Sequence, residues 1–93
     1  MGRTYTELTK EIERLGGRDL HREDPRVVLS HGGIMAGKIR VAITLVRGDG
    51  KALPPMRARR LLNRIKDKLQ GQLECTLQSD RDMNYSLFVE DRK

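Results

Sequence analysis

The chain has 93 residues, 37% apolar and 34% charged, with Phe 1, Tyr 2 and Trp 0, so it can build one domain around a small aliphatic core and little more. Its single cysteine, Cys75, excludes an internal disulfide and any cysteine-based zinc cluster, and no apolar run approaches the length of a membrane span. The net charge of +6 is unevenly spread: residues 1–25 carry five basic and six acidic side chains, residues 26–72 eleven and two, and residues 73–93 three and five.

A central excess of this kind is a footprint for an anionic partner more than a device for solubility. The opening MGRTYTELTK lacks the apolar stretch of a signal peptide, and Gly2 stands in a poor context for acylation. A soluble cytoplasmic protein is expected.

In chain order, Thr4 and Glu7 form a capping box, and Tyr5, Leu8, Ile12 and Leu15 recur at helical spacing before Gly16-Gly17 stops the run. This predicts a helix over about residues 5–15 with an ordinary solvated face of Lys10, Glu11, Glu13 and Arg14. The following GGRDLHREDP is a polar connection in which only Leu20 is expected to be buried. Pro25 favours an extended approach to a short strand over about 26–30. HGGIMAG then reads as a seven-residue glycine-rich loop. Ile34 and Met35 near its tip either fold back on the core or offer an adaptable contact to a protein partner.

Lys38 to Arg47 is the clearest strand: Ile39, Val41, Ile43 and Leu45 point one way, and Lys38, Arg40, Ala42, Thr44 and Val46 the other. RGDGK supplies a turn. Its Arg-Gly-Asp is turn chemistry rather than an integrin signal, and GDGKALPP lacks the spacing of a phosphate-binding P-loop.

The stretch ALPPMRARRLLNRIKDKLQG organises the rest. Pro54 and Pro55 suit a first helical turn, and Ala58, Leu61, Leu62, Ile65 and Leu69 make one apolar face. A helix over about 55–70 follows, with Gly71 expected as a left-handed C-cap. Arg57, Arg60, Arg64 and Lys68 form a cationic stripe along one flank, with Arg59 and Lys66 on the other. Asp67 is the helix's only acid, so few of these cations can pair within it.

Leu73, Cys75 and Leu77, then Tyr85, Leu87 and Val89, alternate with polar residues around Asp80-Arg81-Asp82. They predict a hairpin of strands over about 73–79 and 84–90, with EDRK fraying at the end and Cys75 an inert inward thiol. The order α-β-β-α-β-β implies an α+β fold: one small domain, an antiparallel sheet of about four strands, and two helices packed on one face.

For function, the expectation is a non-enzymatic binding protein with no cofactor or metal. It would contact structured RNA, duplex DNA or a nucleoprotein through Arg57, Arg60, Arg64 and Lys68. Lys38, Arg40, Arg47 and Lys51 would extend the positive field beside the helix, and Ile34 and Met35 are the candidate protein contact. Scarce aromatics argue against base stacking on single strands. His21 and His31 lack metal-ligand spacing. A second reading is a regulator or inhibitor that binds a host protein or ribonucleoprotein, like the small anti-CRISPR proteins of phages and mobile elements; this is a class-level analogy.

A third reading comes from a resemblance. The short helix ending in Gly16-Gly17, a strand carrying Ser30-His31, a further strand and a helix are similar to the HicA-type messenger-RNA interferase toxins, over roughly residues 4–70. Those proteins resemble double-stranded-RNA-binding domains and use a strand histidine, which here implies His31. This chain lacks that family's glycine before Ser30-His31 and adds a C-terminal hairpin.

Overall fold

The computed structural model describes residues 3–92; Met1, Gly2 and Lys93 lie outside the described residues, and with them the acylation context of Gly2. The first helix, α1 (Tyr5–Gly16), starts at the predicted capping box: Thr4 Oγ1 accepts from the Glu7 amide at 3.2 Å, and Glu7 Oε1 accepts from the Thr4 amide at 2.9 Å. Gly17 ends it at φ 56, a conformation costly for any residue with a Cβ. A 3-10 turn over Gly17–Leu20 then folds back, with Leu20 set so close that a Cβ on Gly16 would lie 2.7 Å from its Cγ.

Strands β1 (Arg26–Met35) and β2 (Lys38–Val46) form one long hairpin, so β1 is twice the expected length and the seven-residue loop does not exist. The glycines carry the strand onward instead of ending it. Pairing shifts by one residue between His31 and Ile34, a bulge that sets Gly32 and Gly33 against Arg40. A Cβ at Gly32 would lie 3.1 Å from the Ala42 amide nitrogen, the Arg40 carbonyl and the Phe88 ring, a fit that would require the β2 backbone or Phe88 to give by a few tenths of an ångström. The turn itself is Ala36 (φ 54) and Gly37 (φ 78), the two-residue left-handed type that matches strand twist. Ile34 and Met35 therefore do not fold back: they are 69% and 53% exposed.

Helix α2 (Pro55–Leu69) follows the Arg47–Pro54 connection and leads to β3 (Leu73–Ser79) and β4 (Tyr85–Asp91). It closes on Gln70 at φ −72, and Gly71 is not left-handed; the Arg92 guanidinium instead caps the free carbonyls of Gln70 and Gly71. The sheet is antiparallel throughout in the order β1-β2-β4-β3, so β4 is inserted between the two strands that α2 connects. Both helices cover one face, as the apolar alternation requires.

The core is aliphatic. Leu8 and Ile12 of α1 meet Leu62, Ile65 and Leu69 of α2 over Val41 and Ile43 of β2, Leu73 of β3, and Leu87 and Val89 of β4. Of the EDRK segment expected to fray, Glu90 and Asp91 instead complete β4, and Lys93 lies outside the described residues. Asp91 is buried in β4, and its carboxylate takes both the amide and the guanidinium of Arg3, tying the start of α1 to the last strand. Cys75 is half-buried, and burial pushes its thiol up to about 11, which leaves it protonated at neutral pH. Among the described residues, no helix is long and apolar enough to cross a membrane.

Leu62 has no exposed surface and sits where α2 meets the sheet, so Leu62→Ala should cost about 2–5 kcal/mol, read as a lowered urea midpoint at unchanged m-value. A midpoint that barely moves would show that α2 packs through another face.

Candidate nucleic-acid interface

The four buried residues of α2, Ala58, Leu62, Ile65 and Leu69, take up one side of the helix and turn most of its cations outward. Met56, Arg59, Arg60, Asn63, Arg64 and Asp67 line a shallow open groove on the solvent side. Arg59, placed on the opposite flank by spacing alone, thus belongs with Arg60 on the outer surface. Arg57, Arg59 and Arg60 are exposed, and none has an ion-pair partner among the described residues.

Arg57 stands in the first turn of α2, an electrostatically unfavourable place for a cation, and Arg59 and Arg60 follow it in the second turn. The N-terminus of a helix is its positive end, where acids are stabilising and cations are not. Here the first turn holds no acid, and the N-cap is Pro54, with no side chain to receive an amide. The local sequence thus departs from helix preference in the direction that strengthens a positive field.

The other half of the stripe is different. Asp19, in the 3-10 turn, is buried and reaches Lys68 Nζ at 2.9 Å and Arg64 at 3.2 Å. The Lys68 ammonium, with Arg64 and then Arg22 adding to it, holds the Asp19 carboxyl below the usual carboxylate range against the opposing effect of burial. The polar connection, expected to bury only Leu20, also buries Gly16, Asp19 and Pro25. The Asp19 contact spans 45 and 49 positions of chain, beyond any helical spacing rule.

The remaining expected cations do not join one field. Lys38 and Arg40 lie on the sheet face away from the helices, so the sheet separates them from α2. The Arg40 guanidinium sits 4.4 Å from the centre of the Phe88 ring and donates to the Gly32 carbonyl at 3.2 Å, while Lys38 donates to the Asp91 carbonyl at 3.3 Å. Arg47 pairs with Asp49 at 2.6 Å and donates to the Ala52 carbonyl at 3.3 Å, which braces the turn into α2. Lys51 is exposed beside it. With Ala58, Arg47 and Lys51 line a second cleft at the N-terminal end of α2, and so stand at the same end as Arg57.

His31, singled out by the toxin resemblance, stacks on Tyr5 with centroids 5.5 Å apart, and its Nδ1 accepts from the Gly33 amide at 3.0 Å. That bond leaves Nε2 as the nitrogen carrying the proton in the neutral ring. Among the described residues, no three His, Cys, Asp or Glu side chains are grouped to hold a metal ion.

The sign of the Asp19 effect follows from its lowered folded-state value. Its stabilisation is present above the ordinary carboxylate pKa of about 3.9 and is lost as pH falls through the folded value. The side chains of Arg64 and Lys68 are 61% and 44% exposed, so solvent screens the pairs and the contribution is about 1 kcal/mol. Asp19→Asn should be less stable than the parent at pH 7 by that amount. The gap should close below about pH 4 in denaturation series run across pH.

No family model, no characterised protein and no solved structure matches this chain, so a functional reading rests on the geometry of its own residues.

Proposed function

We propose that the protein binds duplex nucleic acid, structured RNA or DNA, through its phosphate backbone, using the outward surface of α2. The observation that carries this reading is the group of Arg57, Arg59 and Arg60: exposed, without acidic partners among the described residues, and gathered in the first two turns of α2, with Arg57 in the first turn where a cation is least favourable. A cost accepted at a surface position with no packing role is where a functional demand is expected. Arginine's planar fork matches two phosphate oxygens at once.

Arg64 and Lys68 extend the row toward the helix C-terminus. Asp19 neutralises part of their charge and holds their long side chains in place, so they contribute less field with less ordering cost. Arg47 and Lys51 add positive charge at the opposite end. Contact along the backbone positions a duplex without reading its bases, so the affinity is general and strongly salt-dependent.

The test compares two triple variants that each remove three positive charges from the +6 chain: Arg57→Ala/Arg59→Ala/Arg60→Ala, and Lys10→Ala/Arg18→Ala/Arg81→Ala from exposed sites elsewhere. Both should keep the parent's thermal stability, each surface change costing roughly 0.5 kcal/mol or less. In titrations of a labelled duplex across salt, the α2 variant should lose affinity, and its log–log slope should shrink by about 0.9 for each phosphate it no longer neutralises. The control should stay near the parent. Equal losses would mean that net charge alone acts, and a salt-independent affinity would point to a protein partner, to be sought by pull-down with and without nuclease.

Asp19→Asn supplies the opposite sign. By releasing Arg64 and Lys68 it should tighten duplex binding at neutral pH, although it destabilises the fold.

A further inference from the structure

We infer that the end of the β1–β2 hairpin is a wedge that enters the minor groove of a DNA duplex and unstacks one base step. This rests on the proposed binding of duplex nucleic acid and assigns that partner to DNA. β2 pairs with β4 only over Val41–Ile43, whereas its pairing with β1 continues to Met35 and Lys38, so the hairpin end runs on as a two-stranded arm. Ile34 is paired with Ile39 and Met35 with Lys38, which puts the two exposed apolar side chains on opposite faces of the arm. An arm tipped on both faces with apolar groups has the form of an intercalating wedge rather than of a patch for a flat surface.

The charge around the tip favours a polyanion over a protein groove. No acidic residue occurs along β1 or β2, and Lys38 and Arg40 are the cations at the tip end of the hairpin. Neither Lys38 nor Arg40 has an acidic partner among the described residues, and Arg40 Nη1 stands 3.9 Å from the Met35 sulfur, directly behind the tip. The nearby Asp91 carboxylate is buried and occupied by Arg3.

The arm is also braced, as a wedge must be. Ala36 and Gly37 make the tightest hairpin turn, the Gly33 amide is held by His31 Nδ1, and the His31 ring is stacked on Tyr5 of α1. The histidine of the toxin resemblance thus has a positioning role at the arm's base. Apolar side chains inserted from the minor groove kink DNA most easily at flexible pyrimidine–purine steps.

The experiment uses the full chain and a DNA duplex with a fluorescent adenine analogue at a central TA step and a dye pair at its ends. The parent protein should raise the analogue's fluorescence, a sign of unstacking, and bring the ends together. Ile34→Ser/Met35→Ser, altered only at exposed positions, should fold normally, still bind with a salt-dependent affinity, and lose both signals. A parent complex that binds without either signal, or a tip variant that keeps both, overturns the wedge and leaves binding through α2 intact. Unstacking of an RNA duplex but not of DNA overturns the assignment to DNA. A parent protein that binds no duplex at low salt overturns the proposed function and the wedge together.

Discussion

The burial of one aliphatic face of α2 is the contact on which the rest of this molecule depends. With a single Phe, two Tyr and no Trp, the chain has little aromatic volume, and Leu62, Ile65 and Leu69 supply much of what fills the space between helices and sheet. Each fully buried aliphatic side chain is worth about 1.5–3 kcal/mol, so a core this small leaves no margin for a helix that rotates away. Once those residues face inward, the arginines between them have nowhere to go but outward. Stability and surface charge are set by the same helical register.

Asp19 divides that surface. It is a buried carboxylate between two cations that remain largely in water, so it joins the 3-10 turn to the C-terminal half of α2 and lowers the charge there. The N-terminal half has no counterpart, and Arg57 in its first turn stands against the macrodipole without an acid or a capping side chain. One helix therefore carries a braced, partly neutralised end and an uncompensated one.

The sheet has helices on only one face. On the other, Arg40 lies over Phe88, which shields part of the ring. Gly32 permits this arrangement, because a side chain there would meet Phe88 and the β2 backbone. The same bulge redirects β1 toward the hairpin end, so a packing requirement at the middle of the sheet also shapes its most exposed projection.

Local chemistry is enough to read the elements. Alternation locates β2, β3 and β4 to within a residue, and the capping box and the two prolines locate both helices, because each signal is written within a few residues of where it acts. The element order and the one-sided helix layer follow from the same patterns. Asp19's pairing with Arg64 and Lys68, the seat of Asp91 against Arg3, and the insertion of β4 between β2 and β3 depend on groups far apart in sequence. The placement of Arg40 behind the sheet, by contrast, is written in the alternation itself: it points away from Ile39, Val41 and Ile43, the apolar face that the helices cover, so it does not extend the field of α2. Gly32 and Gly33 suggest a loop where the structure has a strand, since the backbone freedom that suits a loop equally suits a bulge, and only the neighbouring strand decides between them. Local patterns alone specify most of the elements and the sign of the charge; tertiary packing sets which of those charges are left without partners, because ion pairs are made in space and not along the chain.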